Sequence, residues 1–193
     1  MKRDKPKYRQ IIDAAVVVFA ENGYHQAQVS KIAKQAGVAD GTIYLYFKSK
    51  EEILIQMFQE KMSVFVTNLK EILKEDNSAA EKLYKMVENH FNVLYSDKLL
   101  ATVTQLELRQ SNKEIRLRIN EVLKEYLSLL DEILIEGRKN GEFDEGMDVR
   151  LARQMVFGTI DETITTWVMN DQKYNLMDLA PKVYKLLLNG MRA

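Results

Sequence analysis

The chain has 193 residues, 46% hydrophobic and 29% charged, with 28 basic against 28 acidic side chains and no cysteine. This is the balance of a soluble globular protein long enough for one large or two small cores. The missing thiols exclude disulfides, thiolate metal sites and thiol chemistry, and a reducing cytoplasm is compatible. Prolines occur only at Pro6 and Pro181, so little interrupts a helix and an all-α fold of about nine helices is expected. The basic opening MKRDKPKYRQ precedes IIDAAVVVFAENG, a run too short and too polar for a signal sequence or a membrane span. A cytoplasmic protein with no membrane partner is expected.

Ile11, Ile12, Ala15, Val18 and Phe19 recur at helical spacing and place a first helix over residues 7–21, with Gly23 as its stop signal. The next run, VSKIAKQAGVADGTIYLYFKSK over 29–50, reads as two short helices joined by a tight turn at Gly37. Ile32, Ala36, Val38 and Ile43 fall where crossing helices press together, and Ala33 is small enough to permit close approach. This is helix-turn-helix spacing. The second short helix interleaves Thr42, Tyr44 and Tyr46 with Ile43, Leu45 and Phe47, and Lys48 and Lys50 follow. A polar outward face with lysines at the next helix start suits a DNA major groove and its flanking phosphates. Ile43 and Phe47 already supply a buried face, which weighs against Tyr44 and Tyr46 as core aromatics. Zero net charge hides an asymmetry: the first fifty residues hold nine basic against four acidic side chains, a net +5 balanced by −5 in the remainder. That is a basic DNA-facing end on a mildly acidic body.

Ser49 and Glu52 form an S-x-x-E capping pattern that opens a fourth helix, with Leu54, Phe58, Met62, Phe65, Leu69 and Leu73 at steps of three or four. The helix breaks at Glu75, Asp76 and Asn77, and Ser78 with Glu81 opens a fifth that runs through Tyr95. Residues 99–109 are mostly apolar, RQSNKE gives a polar bend, and a long helix covers 115–139. Gly141 and Gly146 bracket a loop before two last helices over 149–170 and 179–190, with Asp148 and Asp178 as their N-caps.

In the eighth helix one stripe collects Phe157, Ile160, Ile164 and Trp167, and another Ala152, Met155, Thr159, Thr163 and Thr166. The ninth shows Leu179, Val183 and Leu186 on one side and Tyr184, Leu188 and Met191 on the other. Two occluded faces on terminal helices point to a homodimer built on a four-helix seam. A dimer reads two half-sites of a palindromic operator about 34–36 Å apart. Asp161 and Glu162 are adjacent on a helix and point about 100° apart, so they do not form an acid–base pair. His25 and His90 are the only histidines. No metal, nucleophile or phosphate-loop motif accompanies them, so neither a metal nor a cofactor nor catalysis is expected.

The runs IDAAVVVFAENGYHQAQVSKIAKQAGV and GTIYLYFKSKEEIL resemble the DNA-binding domain of TetR-family transcriptional regulators. TQLELRQSN at 104–112 and LARQMVFGTIDETITTWVMNDQKYNL at 151–176 extend the resemblance to the acyl-CoA-responsive repressors of fatty-acid degradation in that family. The resemblance implies a DNA-binding domain over 1–48 and a ligand-binding and dimerisation domain over 49–193. It implies DNA contacts at Thr42, Tyr44 and Tyr46 and a phosphate contact at Lys50. Leu45 then offers only apolar contact, such as to a thymine methyl, and Gln28, Val29 and Ser30 present a backbone amide and a hydroxyl to phosphate. Lys48 belongs to the same edge. The arm Lys2, Arg3, Lys5, Lys7 and Arg9 reads either as phosphate contacts or as a solvated tail.

For the effector, the resemblance implies long-chain acyl-CoA that releases a repressor from DNA. Candidate tunnel walls are Met57, Phe58, Met62, Phe65, Phe91, Leu94, Val103, Leu106, Met155, Phe157, Ile160 and Trp167, each of which also reads as plain core. Arg109, Lys113, Arg116 and Arg118 are candidates for the coenzyme A phosphates, or else a charged face paired with Glu107, Glu114 and Glu121. Two other functions fit parts of the pattern: a TetR-type repressor that senses drugs, and an acyl-CoA carrier whose basic end meets acidic partners.

Overall fold

The computed structural model describes residues 6–107 and 111–192. They form nine α-helices, one π-helix and one 3-10 turn: α1 (Pro6–Asn22), α2 (Val29–Gln35), α3 (Asp40–Tyr46), α4 (Lys50–Lys74), α5 (Ala79–Ser96), α6 (Lys98–Thr102), the π-helix (Val103–Glu107), α7 (Lys113–Lys139), α8 (Val149–Met169), the 3-10 turn (Leu176–Leu179) and α9 (Ala180–Asn189). Packing divides the chain into two units that do not follow chain order. The first holds the residues up to Met62 together with Leu99–Val122, and the second holds Ser63–Lys98 and the residues from Leu123 on. The division expected at residue 48 follows the order of motifs, whereas the π-helix packs against α1 and so joins the first unit.

The helix ends are set by local hydrogen bonds. At α5, the Ser78 hydroxyl accepts from the Glu81 amide while the Glu81 carboxylate accepts from the Ser78 amide, the reciprocal box expected from S-x-x-E. Ser49 likewise accepts from the Glu52 amide, but Glu52 reaches one residue further, to the Lys48 amide at 2.7 Å. Asp148 caps α8 through the Leu151 amide. Asp178 does not cap the last helix: Asn175 takes the cap by accepting from the Met177 amide, a 3-10 turn intervenes, and α9 begins at Ala180. Asn112 caps α7 by accepting from the Glu114 and Ile115 amides.

In the first unit, Ile11, Ile12, Ala15, Val18 and Phe19 are all buried, as their spacing requires. The Tyr8 hydroxyl donates to Gln56 and Glu60 at 3.3 and 3.4 Å, and Lys61 pairs with Asp13 at 2.7 Å, so α1 is fastened along the start of α4. In the second unit, Leu83, Val87, Phe91, Leu130, Ile133, Ile160, Ile164 and Trp167 make the core. The Glu142 carboxylate accepts from the Ala79 and Ala80 amides at 3.0 and 2.9 Å and so satisfies two orphan donors at the start of α5. Lys82, itself buried, pairs with Glu136 on α7 at 2.8 Å.

Gly137 lets the chain that follows α7 close back on that helix. A Cβ at this position would lie 2.3 Å from the buried Phe143 ring and 3.0 Å from the Ala79 Cβ. Alanine gains about 1 kcal/mol of helix propensity over glycine, but the overlap falls on an enclosed ring that has nowhere to go. Gly137→Ala is therefore expected to destabilise the protein by about 1–3 kcal/mol, read as a lower urea midpoint with an unchanged slope.

Candidate DNA-binding surface and ligand region

Gly37 has φ +64°, a value that favours glycine, and its turn is closed by amide bonds from Gly37 to Lys34 and from Val38 to Ala33. Ile32, Ala33 and Ile43 are buried between the short helices, and Ala36 and Val38 are half-buried. Phe47 is enclosed and stacks on Tyr8 at 5.2 Å. With that face filled, Tyr44 and Leu45 point outward at 60% and 66% exposure. Thr42 and Tyr46 are half-buried, the Tyr46 ring lying 6.3 Å from Tyr8. Gln28, Ser30 and Lys48 are exposed and Val29 is half-buried. Of the residues expected at DNA, Gln28, Ser30, Tyr44, Leu45 and Lys48 are thus exposed on or beside α2 and α3, while Val29, Thr42 and Tyr46 are half-buried. Of the basic arm, Lys7 and Arg9 are exposed on α1, and Lys2, Arg3 and Lys5 lie outside the described residues.

Lys50 is placed differently from the other expected contacts. Its Nζ donates to the carbonyls of Tyr24, His25 and Ala27 at 2.8, 3.1 and 3.0 Å and sits 4.7 Å from the centre of the Tyr24 ring. An ammonium has three donors, and all three are committed to the turn between α1 and α2. Glu107, in the π-helix, accepts from the Tyr24 amide at 2.7 Å. The turn starts at Gly23, whose φ of +72° suits glycine. Burial, then the charge of the neighbouring Glu51, pushes the Tyr24 phenol up to about 12. Sequence reading gave Glu107 only as a counter-ion for nearby cations. Nothing in the spacing of a carboxylate eighty residues away signals a bond to a backbone amide.

Among the expected ligand residues, Phe65, Phe91, Leu94, Ile160 and Trp167 are buried in the second unit, with Phe157 half-buried. Met57, Phe58, Met62 and Val103 are buried in the first. Leu106 and Met155 depart from expectation: each is 39% exposed and neither is enclosed. Met155 instead lines an open groove of about 570 Å³ on α8, with Gly158, Thr159, Glu162, Thr163 and Thr166. Lys113, Arg116 and Arg118 are exposed, and none is ion-paired to Glu107, Glu114 or Glu121 among the described residues; Arg109 lies outside them. The Glu162 carboxylate accepts from the Thr166 hydroxyl at 3.5 Å and faces the groove.

Sequence reading passed over one buried polar pair. His90 on α5 lies 2.7 Å through Nδ1 from the Tyr126 hydroxyl on α7, both enclosed with Phe65. Burial drives the imidazole down to about 3 and raises the phenol, so both are neutral at physiological pH.

A basic-ended helix-turn-helix on an all-helical body defines a DNA-binding regulator. Residues 11–57 match the tetR family of bacterial regulatory proteins, and residues 58–190 match the C-terminal region of YsiA-like proteins. The chain belongs to the TetR family of transcriptional regulators, which are not enzymes. It is 65% identical over 191 residues to the fatty acid metabolism regulator protein of Bacillus subtilis, covering 99% of this chain and 98% of that one. Its fold matches the transcriptional regulator FadR from Bacillus subtilis in complex with stearoyl-CoA, at a TM-score of 0.93, 65% identity and 96% and 100% coverage. It also matches the fatty acid degradation regulator FadR from Bacillus halodurans, at a TM-score of 0.92, 61% identity and the same coverage. Among the described residues no helix is long and apolar enough to cross a membrane.

The exposures separate surface from scaffold in a way that stability measures directly. Phe47→Ala is expected to cost about 3–5 kcal/mol, as for other enclosed aromatics. Tyr44→Ala and Leu45→Ala are each expected to stay within about 0.5 kcal/mol of the parent in denaturant unfolding.

Proposed function

We propose that this protein is a cytoplasmic repressor that binds an operator upstream of fatty-acid degradation genes and is released from it by long-chain acyl-CoA. The observation that carries the reading is the near full-length 65% identity to a fatty acid metabolism regulator, together with a neighbour of the same identity in complex with stearoyl-CoA. Tyr44, Leu45, Thr42 and Tyr46 meet base edges and sugar-phosphate, with Gln28, Val29, Ser30 and Lys48 on the flanking backbone. Lys50 acts through the turn it holds, with phosphate attraction as a secondary effect of its charge. Lys113, Arg116 and Arg118, all exposed, offer charge-assisted bonds to the phosphates of coenzyme A.

Release needs a ligand that binds one of two conformations more tightly than the other. The bond from the Tyr24 amide to Glu107 is the element we place at that switch, because it joins the turn leading into α2 to a segment far away in sequence. The effector is a ligand, not a cofactor, and no chemistry is done on it. Sensing of cationic drugs fits less well: among the described residues no Asp or Glu is buried to balance such a charge. A carrier role would leave the exposed face of α3 without use.

The reading includes a homodimer through α8 and α9. Leu151, Met155, Gly158, Thr159, Glu162 and Thr166 recur at one-face spacing on α8, and Leu186 on α9 is 72% exposed. Apolar side chains left outward on two terminal helices fit a self-complementary seam. Leu186→Asp is expected to give a monomer by sedimentation, and an unchanged dimer would rule out this face.

The effector reading is tested on a duplex enriched by the protein itself from a random-sequence pool. Micromolar oleoyl-CoA is expected to release at least nine-tenths of the bound duplex, while coenzyme A and free oleate leave it bound. Retention at all acyl-CoA concentrations up to solubility would contradict the assignment.

A further inference from the structure

His90 and Tyr126 stand out because their hydrogen-bonding groups do not balance. A neutral imidazole has one N–H donor and one acceptor nitrogen, and a neutral phenol has one O–H. Only one bond joins the two residues, between Nδ1 and the phenol oxygen at 2.7 Å. If the phenol donates to Nδ1, the Nε2–H is left over. If Nδ1–H donates to the phenol oxygen, the phenol O–H is left over. In either tautomer one donor proton is unused by the pair, and no other described residue bonds to either side chain.

The surroundings fix what that donor can receive. The Phe65 ring lies 4.8 Å from the imidazole and 6.2 Å from the Tyr126 ring, and Phe157 lies 6.4 and 6.3 Å from the two. These walls offer no hydrogen bond to a water, which ordinarily makes about three. A carboxylate is also unsuited, because the pair carries no positive charge to offset its loss of hydration. The complementary group is a neutral acceptor attached to an apolar chain.

We infer that the His90–Tyr126 pair donates a hydrogen bond to the thioester carbonyl of a bound acyl-CoA. The inference rests on the acyl-CoA reading above and adds to it the atom that is recognised. The thioester carbonyl is the one neutral acceptor joined directly to the fatty chain. The pair thereby distinguishes the activated thioester from the free fatty acid, whose ionised head would be buried without a counter-charge.

The test compares stearoyl-CoA with S-octadecyl-CoA, a thioether that keeps the chain and the nucleotide and lacks the carbonyl oxygen. By calorimetric titration the parent protein is expected to bind the thioester about tenfold more tightly, a difference of about 1.4 kcal/mol. His90→Phe collapses the ratio to about one if Nε2–H is the donor, and Tyr126→Phe does so if the phenol is. Equal affinity of the parent for the two ligands overturns the carbonyl assignment, as does a preference that survives in both variants. If both ligands bind equally well, the acyl-CoA reading stands and the carbonyl role falls; if the thioether alone binds, both fall. If neither ligand binds, both fall together. Infrared spectra of the parent with a carbonyl-13C thioester need no variant: a carbonyl stretch at the frequency found in a non-donor solvent overturns the assignment, and a downward shift supports it.

Discussion

The backbone turn between α1 and α2 is the point on which the proposed DNA-facing surface depends. Its carbonyls at Tyr24, His25 and Ala27 converge on one ammonium, that of Lys50, and its Tyr24 amide is bound by one carboxylate, that of Glu107. A turn of this length carries several backbone groups without partners in either helix, and leaving such groups unpaired and shielded from water costs free energy. Two charged side chains satisfy four of them. Lys50 opens α4, and Glu107 closes the π-helix, so the turn before α2 is held by two segments that both follow it in sequence. The exposed Tyr44 and Leu45 are thus presented by a scaffold held through charge-assisted bonds as well as apolar contact.

In the mechanism proposed above, that arrangement makes the surface adjustable. Apolar packing under Phe47 and Ile43 is short-ranged and insensitive to charge, whereas the carboxylate bond to the Tyr24 amide is a single contact that a small displacement of the π-helix breaks. π-helical segments are rare and recur at functional sites, and this one precedes in sequence the polar bend whose cations are proposed above for coenzyme A. The second unit supplies the other half of the chemistry. Its core is apolar except for Lys82, which is paired with Glu136, and the neutral His90–Tyr126 pair. A neutral donor in such a core selects for a ligand that is neutral where it is deepest.

Much of this was legible in the sequence, for identifiable reasons. Helical periodicity in α1 predicted the buried set around Phe19, and Gly37 marked the turn because few other residues tolerate its φ. Ser78 with Glu81 predicted its cap because both partners lie within one turn. The resemblance carried by GTIYLYFKSKEEIL identified the family. What escaped the sequence was set by long-range geometry. Lys50 was expected on phosphate and is drawn to three carbonyls, and Glu107 reaches an amide far away in the chain. Met155 and Leu106 have the chemistry of tunnel walls but lie on open surface, since periodicity reports that a face is apolar and not what covers it. Asp178 looked like the cap of the last helix, but it falls within a 3-10 turn that Asn175 caps, and α9 starts after Leu179 with no side-chain cap. His90 was weighed as a metal ligand and set aside, and its partner Tyr126 had no signal until α5 and α7 were brought together.

The central claim is that acyl-CoA acts on DNA binding through the turn held by Lys50 and Glu107. Residue-resolved amide hydrogen exchange, measured with and without saturating oleoyl-CoA, tests it most directly. The account predicts that the Tyr24 amide loses protection when the ligand binds, while the buried amides of α1 keep theirs. Unchanged protection at Tyr24, in a protein that the same ligand releases from DNA, would contradict it.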